Sequence, residues 1–454
     1  MARIDRDLPP AVSPAAASAA DPTGAAIDLG AVPPEILART LADYARGWWV
    51  KVRAGDSGVL PVVLGIVVVA VVFQVVNAKF LSPQNLVNLF EQSSIYMLLA
   101  MAEIFALLLA EIDLSVGLVM GLAAVVVAEL VQPSAPASCQ FCNHGLAWPA
   151  WLAIAVTLLI AAGVGAIQGT LVARFRMPSF IVTLGTLLVL EGVAIIVLHG
   201  SAVAVSNKYV SGERTIYDIF WGVFSPLVSW ILLIVVVAVT AAALLRRDLS
   251  KRRRGLVTPP LGITVLRILL LAGAGALVVG LSNVNRAHVG TIEGVPFIIA
   301  IVLALLFIYT ILLQRTRFGR YVYAIGGNPE AARRAGVKLT SVRIWCFVLA
   351  ALTSGVAGIL FASWQVSITV NIIQAANGYV LLAVAAAVIG GTSLFGGRGR
   401  TIHGVLGGLV IGGIYNGLYL IGVPSAWIDV AVAAVLVAAG TIDVLSRRTA
   451  RSQA

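Results

Sequence analysis

Apolar stretches long enough to cross a lipid bilayer recur along almost the whole chain, and they leave few folds open. The block Gly65-Ile-Val-Val-Val-Ala-Val-Val-Phe73 is apolar on every helical face, which suits lipid or a packed bundle and not a water boundary. A helix needs about 20 residues to cross a hydrocarbon core of about 30 Å. Twelve blocks approach or reach that length: 58–77, 91–111, 114–131, 150–172, 179–198, 226–245, 262–281, 296–314, 343–363, 377–395, 402–421 and 425–445. With 60% hydrophobic and only 11% charged residues in 454, the chain has too little charge to coat a soluble globule. The sequence predicts an all-α, polytopic transmembrane bundle of about 12 spans.

An even count puts both ends on one side, and the basic residues say which. Arg174, Arg176, the cluster Arg246–Arg254, Arg315–Arg343, Arg398, Arg400 and both terminal segments share a side. Only Lys79, Lys208, Arg214 and Arg286 of the 31 Lys and Arg fall opposite, while Arg267 sits in a span near its inner end and can snorkel. Basic loops remain inside, so both termini are expected in the cytoplasm of a multi-pass inner-membrane protein. The net charge of +11 therefore comes from inner-face loops, which favour the anionic lipid bilayer and give no reason to expect nucleic acid.

Residues 1–57 read as a leader, disordered over its Ala-, Pro- and Ser-rich start and forming an interfacial helix over 34–53 with Trp48 and Trp49 at headgroup level. The first apolar block is long enough to stay as an anchor, so no cleavable signal is expected. Residues 58–454 form the transmembrane domain. Cys346 lies in a span as a packing residue. Cys139 and Cys142 sit in an outside loop, where a local disulfide and free thiols both stay open; four metal ligands are not in view, and no metal is expected.

The inner segment 315–342 carries its own helix punctuation. Asn328 suits a cap, Pro329 the first helical position and Glu330 the positive end of the dipole; Arg333 and Arg334 suit the last turn and Gly336 a left-handed exit. Such a helix is too short to stand alone in water, and Ala331, Ala332 and Ala335 make too weak an apolar face to bind lipid strongly. A docking partner and a lipid surface are both open on composition.

The run Phe318-Gly-Arg-Tyr-Val-Tyr-Ala-Ile-Gly-Gly-Asn-Pro-Glu-Ala-Ala-Arg-Arg-Ala-Gly-Val337 resembles the cytoplasmic coupling loop of ribose/xylose-type ABC sugar importer permeases. Three further stretches resemble that family in the same order: Ile112-Asp-Leu-Ser-Val-Gly117, Ile181-Val-Thr-Leu-Gly-Thr-Leu-Leu-Val-Leu-Glu-Gly192, and Val388–Arg400 followed by Gly404–Gly417. The likeness covers most of 85–445 and is nearest the xylose branch. It implies a permease homodimer, a separate ATP-binding cassette ATPase seated on Asn328–Arg334 and Gly336, and an extracytoplasmic sugar-binding protein. ATP and Mg would sit on the ATPase, leaving this chain no cofactor, no catalytic residue and no enzyme activity. Two departures stand out. Val380 and Leu382 replace acidic residues common in relatives, and 246–290 looks like a hairpin inserted in a ten-span core. No Gly-Lys dipeptide occurs, so a P-loop is missing. Gly396-Gly-Arg-Gly-Arg400 reads instead as a tight inner turn and a second docking point.

Polar residues within spans are costly and mark candidate pathway positions: Glu103, Gln168, Thr183, Thr186, Glu191, Asn416 and Asp429, with Gln374 and Asn377 near an outer mouth. Trp364 and Tyr415 add aromatic faces for a sugar. The competing reading is that each bonds a neighbouring helix. Glu111 and Asp113 suit a turn or cap. Gly404, Gly408 and Gly412 form a small-residue stripe, repeated by Gly163, Gly165 and Gly169, and expected to pack within the subunit. The blocks starting at 91 and 343 begin on opposite sides, as an inverted repeat would. An ion-coupled 12-span sugar carrier is the rival reading, resting on Glu103 and Asp429, but it gives no reason for the capped helix.

Overall fold

The computed structural model describes Arg46, residues 58–132, 146–205, 215–255, 260–286 and 290–434, and Val437 and Thr441. The rest of the leader with its interfacial helix, and the loop of Cys139 and Cys142, lie outside the described residues. The helices are α1 (Leu60–Val76), α2 (Pro83–Leu108), α3 (Val116–Val131), α4 (Ala150–Ala173), α5 (Ser179–Leu198), α6 (Thr215–Trp221), α7 (Pro226–Arg253), α8 (Leu261–Ser282), α9 (Phe297–Arg315), α10 (Arg317–Gly327), α11 (Pro329–Arg334), α12 (Leu339–Gln365), α13 (Val370–Ile389) and α14 (Thr401–Leu420). A shorter apolar helix, α15 (Ser425–Ala434), follows. Strands β1 (Val203–Ala204) and β2 (Ser367–Ile368) pair antiparallel, Val203 opposite Ile368.

Every apolar block of the sequence contains a helix. Among the described residues, nine helices are long and apolar enough to cross a membrane, and α1, α3 and α15 are shorter apolar helices. The protein is a polytopic helical membrane protein.

Three edges depart from the sequence reading. α7 continues to Arg253, so the stretch expected as a basic loop at 246–254 is mostly helix. Arg and Lys propagate helices well, and Lys251, Arg252 and Arg253 complement the negative end of the dipole. α2 begins at Pro83, well before 91: the Ser82 side chain accepts from Asn85 N–H, and polar Gln84 and Asn85 hid this turn from a hydropathy reading. α13 runs from Val370 to Ile389, capped by Thr369, so Gly390–Phe395 belongs to a turn and not to the span expected at 377–395. Gly391, with φ +105°, opens that turn.

The chain divides into two compact units, one holding Val236–Ala272, the other Ser57–Val235 and Gly273–Ala454. In the first, Thr264 Oγ1 donates to Asp248 Oδ2, and Arg247 Nε lies 3.1 Å from Asp248 Oδ1. The Thr264 bond joins the ends of α7 and α8. Val236, Val239, Leu266, Leu269 and Leu270 are among the exposed apolar side chains there, as lipid contact requires.

The second unit is built round α2, whose apolar window is 89% buried. Its residues from Ser93 to Leu108 are buried on every side, as a helix apolar all round should be. α14 lies along α2, and α4 lies along α12. Exchanging the block α2–α5 with the block α12–α15 maps one contact onto the other, the relation an internal repeat produces. Both contacts rest on glycine. A Cβ at Gly404 or Gly408 would lie 2.9 Å from Met101 N or 2.6 Å from Met97 N, and one at Gly412 would strike Ser93 Oγ. Gly165 and Gly169 would meet Phe347 O at 2.5 Å and Ile344 Cα at 2.7 Å. The stripes therefore pack helices within this subunit. Gly163 departs from that pattern, since a Cβ there meets open space. Cys346 is fully buried on α12 as a packing residue.

Candidate functional site

At the end of α2 that shares a side with the basic loops, three segments close on one another. The N–H of Gly397 donates to Leu108 O at 3.0 Å, and Tyr323 Oη donates to Gly399 O at 2.8 Å. Gly326 lies so close to Leu108 O that a Cβ would overlap it, and a Cβ on Gly396 would meet Ala110 and Gly326 O at 2.9 Å. Gly396 and Gly397 hold φ +81° and +69°, which L side chains rarely adopt. The turn expected at 396–400 is thus clasped between the end of α2 and the end of α10.

α11 continues from this clasp. Asn328 Oδ1 accepts from Ala331 N–H at 3.0 Å, Pro329 opens the helix and Gly336 leaves it at φ +82°. Glu330 and Arg334 pair at 2.7 Å on the exposed surface. Ala332 alone of Asn328–Gly336 is buried; Asn328, Pro329, Glu330, Ala331, Arg333, Arg334 and Gly336 are exposed. Ala332 turns inward, and the helix meets α10 and α12 while presenting its other side chains to the surface. The segment comprises two helices, α10 and α11, where the residue pattern carried clear signals for one.

Beside the clasp sits a buried polar node. Ser115 N and Oγ both donate to Asp113 Oδ1, at 2.9 and 2.6 Å; Asp113 N donates to Glu103 Oε1 at 3.3 Å, and Gln168 Nε2 to Ser115 Oγ at 2.6 Å. Burial raises the Asp113 carboxyl above the usual carboxylate range, opposed by its Ser115 bonds. Asp113 thereby shapes the turn into α3, and Gly117 lets α3 press on α13, where a Cβ would lie 2.6 Å from Ala376 O. Glu111 instead faces Arg343 at 3.6 Å.

Toward the other end of α2, aromatic rings form a chain across five helices. Tyr96 stacks on Tyr379 and on Tyr415, with centroids 5.5 and 5.6 Å apart. Phe361 meets Tyr379 edge-on at 5.5 Å and Trp364 at 6.1 Å; Trp364 stacks on Phe220 at 6.0 Å. Tyr415 Oη donates to Asp429 Oδ1 at 3.0 Å. Amides flank the rings: Asn85 Nδ2 donates to Asn416 Oδ1 at 2.8 Å, and Asn416 Nδ2 to Gln92 Oε1 at 3.3 Å. Asn377 Nδ2 donates to Gln374 O at 3.2 Å, while its Oδ1 is buried without a protein partner. Rings that stack on an apolar sugar face, beside amides that bond hydroxyls, are the chemistry a monosaccharide needs.

The pathway candidates from sequence thus separate. Trp364 and Tyr415 belong to the ring chain, Asn416 follows Tyr415 and bonds Asn85 and Gln92, and Asn377 bonds the Gln374 carbonyl. Glu103 and Gln168 are buried in the polar node. Thr183 and Thr186 donate to carbonyls of their own helix, Ser179 O at 2.9 Å and Val182 O at 2.8 Å. Glu191 is half-buried farther along that helix. Tyr96, Tyr379, Gln92 and Asn85 escaped the sequence reading; a search for aromatics in otherwise aliphatic spans would have flagged both tyrosines. Among the described residues, no group of three or more His, Cys, Asp or Glu is placed to hold a metal.

The family described as branched-chain amino acid transport system / permease component matches residues 85–249 and 263–440. Xylose transport system permease protein XylH of Escherichia coli (strain K12) is 31% identical over 376 residues, covering 82% of this chain and 88% of that protein. Ribose import permease protein RbsC of the same strain is 28% identical over 380 residues, 84% of this chain and 92% of the relative. XylH of Haemophilus influenzae is 29% identical over 399 residues, 88% and 99% of the two chains. No solved structure matches the chain.

Proposed function

The chain belongs to the branched-chain amino acid transport system / permease component family, and on that premise we propose that it imports a monosaccharide, a xylose-type pentose or a related sugar, as the membrane-spanning subunit of an ATP-driven importer. It is a transporter permease subunit and not an enzyme. Relatives named for xylose and ribose favour a sugar over the amino acids of the family's description. They are named as permeases of transport systems, which disfavours a self-sufficient ion-coupled carrier.

In this reading both termini are cytoplasmic, and twelve helices cross the inner membrane as a ten-span core plus the α7–α8 hairpin. A separate ATPase, carrying ATP and Mg, seats on Asn328–Arg334 and Gly336. A second copy of the permease completes the path, and an extracytoplasmic binding protein delivers the sugar. The observation that carries the mechanism is the clasp of Gly326, Gly397 and Leu108. It leaves no slack between α10 and α2, and Asn328 joins α11 directly to the end of α10, so a push on α11 reaches α2 through α10. Tyr96 lies twelve residues along α2 from Leu108, about 18 Å at 1.5 Å per residue. One stiff helix thus links the exposed helix on one face to the ring chain within the bundle. Movement of Tyr96 against Tyr379 and Tyr415 would open and close the sugar's passage.

Reconstitution tests this directly. The purified chain in vesicles with an ion gradient should concentrate no pentose. Adding its cognate ATPase, the binding protein and ATP should produce uptake. Accumulation driven by the ion gradient alone would overturn the reading.

A further inference from the structure

α4 and α12 are in close contact along one side only. Where Gly165 and Gly169 face α12, the backbones touch. On the adjoining face α4 presents Ala155, Ala162, Gly163 and Ala166, and these small residues floor a groove of about 1300 Å³. Leu158, Val348 and Leu352 wall it, and its lining stays apolar until one end, where Lys338, Thr340 and Ser341 form an exposed rim. Trp345, 56% exposed, stands just inside that rim, the level at which tryptophan's apolar body and N–H suit a membrane interface. The antiparallel register, Gly165 against Val348 and Gly169 against Ile344, carries Arg174 and Arg176 to the level of the rim. From Leu339 to Leu352 the groove runs about 20 Å at 1.5 Å per residue. That is the depth of one leaflet with its headgroup layer.

We propose that this groove binds one anionic phospholipid of the leaflet at the basic end, its acyl chain along the alanine and glycine floor and its phosphate at Lys338, Thr340 and Ser341. Charge decides the occupant. A second copy seated here by a twofold axis along the membrane normal sets Lys338 and Arg174 against their own equals. A phosphate complements them. The inference does not depend on which solute the protein moves.

Native mass spectrometry of the full chain, purified in mild detergent and equilibrated with equal phosphatidylglycerol and phosphatidylethanolamine, tests it. The natural chain should retain one phosphatidylglycerol with a several-fold preference. Lys338→Glu, at an exposed position that leaves elution on size exclusion unchanged, should abolish the preference. Gly163→Leu enters open space, so it should fill the groove and lose the retained lipid of either kind. Equal retention of both lipids by the natural chain, or undiminished retention by Gly163→Leu, overturns the proposal. So does a disulfide between two copies carrying Leu352→Cys, which would assign the groove to a second copy.

Discussion

A single methyl group added at Gly408 or at Gly163 has opposite consequences in the two surroundings. At Gly408 it would sit 2.6 Å from Met97 N, on backbone that cannot yield without moving α2. At Gly163 it would meet nothing. Gly408→Ala should therefore destabilise by about 1–3 kcal/mol, the usual cost of overpacking, and Gly163→Ala should be neutral or stabilise by up to about 1 kcal/mol through helix propensity. Thermal melts of the purified protein in detergent check both, and equal shifts would contradict the assigned packing. The ring chain makes a second residue-scale prediction. If Tyr96 and Tyr415 present faces to sugar, Tyr96→Phe should keep most uptake while Tyr96→Ala loses it at equal membrane levels; equal activity of the two would remove Tyr96 from the path. Tyr415 was legible because it stands beside Asn416 in a glycine-rich span. Tyr96 and Tyr379 were not, since ring stacking joins residues far apart in sequence and each tyrosine alone passes for core.

At the scale of the element, α11 was the most legible feature, and the reason is local. Its cap, first proline, dipole-matched charges and left-handed exit all act within a few residues, so sequence order alone exposes them. The clasp beside it was half-hidden: the turn at 396–400 was readable from its glycines, but its closure on Leu108 and Gly326 depends on tertiary approach. α7 shows the converse error, where a run of basic residues looked like loop because charge was weighed and helix propensity was not. The combined change Glu330→Lys and Gly336→Pro should uncouple transport while leaving the protein inserted. The introduced lysine would repel Arg334, and proline, fixed near φ −65°, cannot hold the +82° of Gly336. Sugar uptake against quantified membrane protein is the measurement, and wild-type uptake would count against α11 as the ATPase seat. Gly326→Ala separates the clasp from the seat: it should leave the ATPase bound, in co-purification, yet reduce uptake. If the ATPase is lost as well, the clasp only shapes the docking surface.

The whole molecule poses a question of parity. A hairpin adds two crossings, so the ends and every other loop remain on the same sides whether the chain has ten spans or twelve. Only the hairpin's tip can report the difference. Ser250, exposed near the end of α7, is such a reporter, and Leu146, Ile292 and Glu330 fix the frame around it. With the native cysteines replaced, single cysteines at Leu146 and Ile292 should react in intact cells with a membrane-impermeant maleimide. Those at Ser250 and Glu330 should react only after permeabilisation. The basic cluster from Arg246 to Arg254 argues for this outcome, because translocating six positive charges opposes the bias that orients every other loop. Labelling of Ser250 from outside, with the other three unchanged, would mean that α7 and α8 do not cross, and the bundle would reduce to ten spans.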